Sequence, residues 1–224
     1  KPVNPNISLD GMTRMVPSML HRLYPLGEIP DYEPDPSRSF VEIAKSNNAT
    51  PEEVLYDYML KDEGHAMGMM PIFNYVDGNH DVIREMLLHP QAVSGLSDGG
   101  AHCGMICDAS IPTFMLSHWT RDRTRGEKLP LEWIIKKQTL DTASLYGLSD
   151  RGSLKVGKRA DLNVIDYEAL TLHGPKMAHD LPAGGRRLLQ EATGYDYTIV
   201  AGQITRDHGK DTGKRPGHLI RGAR

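Results

Sequence analysis

The sequence predicts an α/β fold in which a strand–helix–strand unit and a long helix lead into a small β unit. Three patterns carry that expectation. Met70-Pro71-Ile72-Phe73-Asn74-Tyr75 and Ala92-Val93-Ser94-Gly95-Leu96 are short apolar runs on either side of a helical pattern. Pro130 to Tyr146 carries a long apolar helical face. Beyond Ala160 the apolar residues alternate or run together in short segments bounded by turn residues.

Residues 1–38 are crowded with Pro2, Pro5, Pro30, Pro34 and Pro36, which disfavour long helices and central strands, so loop with one short helix is expected there. Phe40, Ile43 and Ala44 share one helical face. Thr50-Pro51-Glu52-Glu53 then supplies an N-cap, a first-turn proline and acidic residues at the positive end of the helix dipole. Helices are placed near 39–47 and 50–62. After the strand at 70–75, Asn79 caps a helix through Val82, Ile83, Met86, Leu87 and Leu88, and Pro90 ends it. The run from Ala92 stops at Ser97-Asp98-Gly99-Gly100. This order and length are those of a βαβ unit, whose strands lie parallel and finish at one edge.

Leu131, Trp133, Ile134, Ile135, Leu140, Ala143 and Leu145 form the face of the next helix, with Gly147 as its C-cap. Strands follow within Ala160–Asp166 and Tyr197–Arg206, so a domain boundary falls near 150, separating 1–149 from 150–224. Pro175 to Leu189 reads as loop and Gly209 to Arg224 as a Gly-rich basic tail.

Composition narrows the function. With 39% hydrophobic and 25% charged residues the chain is ordinary globular protein, and its net charge of −3 argues against a nucleic-acid-binding field despite the basic tail. No apolar run reaches the ~18 residues that a membrane helix requires, and no leader pattern is seen, so a soluble protein off the membrane is expected. Cys103 and Cys107 are too few for a disulfide scaffold, which points to a reducing, cytoplasmic home.

The chemistry concentrates in Gly95-Leu96-Ser97-Asp98-Gly99-Gly100-Ala101-His102-Cys103, an acid, a hydroxyl and an imidazole at the carboxyl end of an expected parallel strand. That edge is where α/β folds gather their ligands, because the loops there converge. Asp and Ser after a strand also serve as turn formers and helix caps. Gly95, Ser97 and Gly99 match the Gly-x-Ser-x-Gly nucleophile elbow of serine hydrolases, but the glycine-rich stretch that follows makes a poor helix start. The ten histidines include no His-x-His or His-Glu-x-x-His, so they announce no zinc site by spacing. Gly209 to Lys214 is one residue short of a phosphate-binding loop and lacks its hydroxyl. Arg121 and Arg123, flanking Asp122, could clamp a carboxylate or simply form a charged loop. Tyr75 is a pocket-lining candidate because it ends the preceding expected strand.

Thr139-Leu140-Asp141-Thr142-Ala143, Gly147-Leu148-Ser149-Asp150-Arg151-Gly152-Ser153-Leu154 and Gly157-Lys158-Arg159-Ala160-Asp161-Leu162 resemble the carboxyl-terminal signature of the amidohydrolase superfamily. Asp180-Leu181-Pro182-Ala183-Gly184-Gly185, Ile199-Val200-Ala201-Gly202 and Thr212-Gly213-Lys214-Arg215-Pro216-Gly217 are similar to the end of the N-acyl-D-amino-acid deacylase branch. The resemblance implies a (β/α)8 TIM-type barrel with an attached small β-sandwich, here its carboxyl-terminal portion. It implies zinc-dependent hydrolysis of the amide bond of a small N-acyl-D-amino acid. Asp98 corresponds to the family's strand-eight aspartate, which is catalytic and lies beside the metal; Ser97 and His102 either line its pocket or hold the loop. The family's other zinc ligands have no counterpart in this sequence, so the partner expected is a missing N-terminal portion of the same protein. Without it the piece should hold no catalytic zinc, and the resemblance leaves room for an oligomer. A serine hydrolase using Ser97, or a non-catalytic interaction module built on the β unit and basic tail, are the competing expectations.

Overall fold

The computed structural model describes residues 18–95 and 104–221. The chain forms two compact units, residues 1–83 and 84–224. The change from helix to strand near 150 falls inside the second unit. Among the described residues no helix is long and apolar enough to cross a membrane.

The first unit is built on a two-stranded antiparallel ladder, β1 (Tyr24–Leu26) against β2 (Met67–Met69), with Tyr24 opposite Met69 and Leu26 opposite Met67. Two short helices, α1 (Phe40–Asn47) and α2 (Pro51–Met59), pack on one another. Their limits follow from local chemistry. Ser39 Oγ accepts the Glu42 N–H to start α1, and Asn48 in the left-handed region ends it. Thr50 and Glu53 close the reciprocal capping box that starts α2. Phe40 is fully buried with its ring edge-on to Tyr58 at 5.3 Å, a burial worth roughly 1.5–3 kcal/mol. The Tyr58 hydroxyl donates to the Leu26 carbonyl, so helix and ladder are tied by both packing and a hydrogen bond.

The expected strand at 70–75 is not formed; the ladder runs over Met67–Met69 instead. Pro71 brings no N–H to a ladder and Asn74 sits at φ 58°, so the chain turns away at the positions where pairing would continue. The helix after Asn79 is present as α3 (Asp81–Leu88), with Asn79 Oδ1 accepting the Asp81 N–H at 2.9 Å. Ala92 to Gly95 form no strand, and Leu96 lies outside the described residues. All strand pairings among the described residues are antiparallel, so the parallel βαβ unit expected from the pattern is not observed there.

In the second unit, α4 (Ile111–Ser117) continues through a π-helical turn, His118–Asp122. The long helix expected over 130–146 is present as α5 (Leu131–Lys136), a π-helical turn (Lys137–Asp141) and α6 (Thr142–Leu145). Gly147 follows at φ 69° as the expected cap. Trp119, Ile134, Leu129 and Leu170 make the core.

The β part holds a four-stranded antiparallel sheet formed from β3 (Leu162–Ile165), β8 (Tyr195–Val200), β9 (Gln203–Asp207) and β10 (Lys210–Asp211), with spatial order β10-β9-β8-β3. Ala201 and Gly202, both at positive φ, make the tight turn between β8 and β9. Two further ladders pair β4 (Thr171–Leu172) with β7 (Ala192–Thr193), and β5 (Lys176–Leu181) with β6 (Gly185–Leu189). The second replaces the loop expected over 175–189. Its turn is Pro182-Ala183-Gly184, in which Ala183 (φ 59°) and Gly184 (φ 72°) reverse the chain.

Candidate functional site

The backbone leading toward Gly95–Cys103 is anchored in the second unit by a buried lysine. Lys137, 3% exposed, donates from Nζ to the Ala92 carbonyl at 2.5 Å, and the ammonium lies 4.6 Å from the Trp133 ring centroid. Burial pushes its pKa down; Asp141 acts in the opposite direction and Lys136 adds to the lowering. Asp98, Ser97, His102 and Cys103 themselves lie outside the described residues.

Arg121 sits in the π-helical turn and reaches across to the loop between β3 and β4. Its guanidinium donates to the carbonyls of Tyr167, Glu168 (3.1 Å) and Leu170 (2.6 Å), and pairs with Asp122 at 2.6 and 2.9 Å. The side-chain hydrogen bond to Asp122 leads the influences raising its pKa, with burial opposing. Arg123 is 1% exposed, donates to the Glu127 carbonyl at 2.8 Å and stacks 4.9 Å from the Trp119 ring centroid. Both arginines therefore hold the chain's own backbone. Tyr75, 3% exposed, ends no strand. Its hydroxyl donates to the Pro34 carbonyl at 2.5 Å, and its ring stands edge-on to Tyr24 and His80.

Beside Tyr75 the first unit holds a buried pair that spacing does not reveal. Glu33 is 2% exposed and His80 8%. Glu33 Oε1 accepts the His80 backbone N–H at 2.7 Å, and Oε2 lies 3.9 Å from His80 Nδ1. Within the first unit the pair offers a carboxylate oxygen and an imidazole nitrogen, two ligand atoms of the kinds that metal ions take. These residues are 47 positions apart, so no local motif could have brought them forward; Lys137 was equally hidden within an apolar helical face.

Cys107 opens onto a cleft of about 300 Å³ with Ser110, Thr113, Leu188 and Gln190. Its thiol is held up by burial and by Asp108, which disfavours the thiolate that reactivity requires. Ser110 donates to Gln190 Oε1, and Gln190 Nε2 to the His173 carbonyl, so the polar lining braces the helix against the β part.

The signature residues 150–161 form a clasp. Asp161 receives Arg159 Nε at 2.8 Å, the Ala201 N–H at 2.8 Å and, at 3.5 Å, Arg151. Burial alone would raise its pKa, but these donors outweigh it and hold the carboxyl below its ordinary range. The Asp150 carbonyl accepts the Arg159 N–H, and the Ala160 carbonyl accepts the Gly202 N–H, so the motif fixes the β8–β9 turn.

A profile described as the amidohydrolase family matches residues 55–206, more than half of the chain. A solved structure described as "Crystal structure of D-aminoacylase defines a novel subset of amidohydrolases" is similar at 22% identity and a TM-score of 0.43. The similarity covers 88% of this chain and 37% of that one, so the chain spans little more than a third of that protein's length. No curated protein gives a significant match. With its clasp sequence and the Gly95–Cys103 segment both inside the matched residues, the chain belongs to the amidohydrolase family.

Proposed function

We propose that an enzyme carrying this chain hydrolyses the amide bond of a small N-acylated D-amino acid, with Asp98 as its proton shuttle. The supporting observation is family membership over residues 55–206, within which Asp98 follows the backbone that Lys137 anchors. The Asp98 carboxylate takes the proton of the attacking water and delivers it to the leaving nitrogen, which an amine needs because its anion leaves poorly. Zinc, when bound, lowers the pKa of its water toward ~7 and polarises the acyl carbonyl. Ser97 and His102 flank Asp98 in the chain and complete this segment's polar groups. In this reading Arg121 and Arg123 shape the helix and its return loop instead of meeting the substrate carboxylate, because their guanidinium donors already serve backbone carbonyls. Tyr75 contributes by packing, its hydroxyl being given to Pro34.

The test is hydrolysis of N-acetyl-D-amino acids with and without chelator. Loss of activity on chelation and its return with zinc is the expected result. Labelling of Ser97 by a fluorophosphonate, with turnover indifferent to chelator, would overturn the proposal in favour of a serine hydrolase. Absence of hydrolysis together with salt-sensitive capture of a partner by the basic tail would overturn it in favour of an interaction module.

A further inference from the structure

We propose that the outer face of α2 receives residues 214–221 of a second copy of this chain. One face of α2 serves its own unit: Val54, Leu55 and Tyr58 are half-buried, and Tyr58 ties the helix to β1 through the Leu26 carbonyl. The other face carries Tyr56, Met59 and Leu60, each more than half exposed. Their i, i+3, i+4 spacing makes them one contiguous stripe, and an uncovered apolar stripe rimmed by polar groups is the mark of an interaction surface. The rim is acidic. Glu52, Asp57, Asp62 and Glu63 are exposed and form no ion pair with a described residue, while Glu53 is held by the capping box. Lys61 is the sole cation within residues 51–64, and its ammonium lies 5.6 Å from the Tyr58 ring centroid.

The second unit displays the complement. Residues 212–221 join no helix or ladder and are exposed apart from a half-buried Pro216. They hold Lys214, Arg215 and Arg221 and no carboxylate. Arg215 is engaged by Asp211 at 2.6 Å, whereas Lys214 and Arg221 form no ion pair with a described residue. Between these two cations Leu219 is 77% exposed, with Ile220 exposed beside it. An apolar pair flanked by cations matches an apolar stripe rimmed by carboxylates in both pattern and sign, and such complementarity sets which surfaces meet. Length agrees as well. Extended chain from Lys214 to Arg221 reaches about 23 Å, enough to bring its cations to carboxylates at both ends of a helix about 14 Å long. The contact uses a different surface on each copy, so copies join head to tail, and its small size makes the association weak and salt-sensitive.

The experiment is sedimentation velocity on the full chain over a range of concentrations. Association is expected at about 0.05 M salt, weakened at least about 10-fold at about 0.5 M. Asp57→Lys/Leu60→Ser damages the α2 face alone, and Leu219→Ser/Arg221→Glu damages the basic segment alone. Each is expected to weaken self-association at least about 10-fold, yet a mixture of the two should regain a one-to-one complex, because the intact segment of one meets the intact helix of the other. Thermal melts check that both variants fold. Asp57→Asn and Arg221→Gln, which remove only a charge, repeat the comparison if either double variant is unstable. A wild-type chain that stays monomeric, or whose association ignores salt, overturns the proposal. Self-association retained by the segment variant overturns it in favour of α2 faces meeting each other. Self-association retained by the α2 variant, or a mixture that forms no complex, overturns it as well. None of these outcomes bears on Asp98, since association is read without turnover.

Discussion

Asp161 illustrates how a motif residue works when its partners come from both near and far in the sequence. Arg151 and Arg159 are local, but the Ala201 N–H arrives from the turn forty residues on. Its folded pKa lies below the unfolded value of about 3.9, so it stabilises the fold above that pH and the contribution disappears as pH falls toward the folded pKa. Asp161→Asn is therefore expected to lower unfolding free energy by about 1–2 kcal/mol near neutrality, and the gap from wild type should close in acid. Urea denaturation at several pH values checks this; a gap that stays constant into acid would contradict it. Residue chemistry that acts within a few positions was legible in the sequence, as at Thr50 and Glu53 or at Asn79 and Asp81. The Glu33–His80 pair was not, because a contact across 47 positions leaves no local period or spacing.

Elements repeat the same division. The helices at 40–47, 51–59, 81–88 and 131–145 stand close to their sequence limits, since caps and apolar faces are written locally. Strands did less well. The apolar run at 70–75 carries a proline and a left-handed asparagine that outweigh its hydrophobicity, while the β5–β6 hairpin hides in a polar stretch whose turn is its only strong signal. Turn geometry is testable at Gly194, between β7 and β8. It lies at φ 96°, and a Cβ there would stand 2.6 Å from Leu170 Cα, a backbone atom that cannot yield cheaply. Gly194→Ala should destabilise the second unit by roughly 2 kcal/mol or more, read as a lower thermal midpoint. An unchanged midpoint would mean that the β4–β7 ladder relaxes around the methyl group.

At the scale of the whole molecule, the carboxyl-terminal signature carried more information than any periodicity. It lies within residues 55–206, which match the amidohydrolase family, and its Asp150, Arg151, Arg159 and Asp161 form the ion-paired clasp. The parallel strands of a barrel follow from the resemblance alone; the described residues show antiparallel ladders and helices. The proposed catalytic role rests on one carboxylate, that of Asp98, and the most direct measurement is kcat of Asp98→Asn in the intact protein alongside its zinc content. The expected result is a loss of several orders of magnitude in kcat with metal content little changed. Wild-type turnover by that variant, with zinc still bound, would contradict the account.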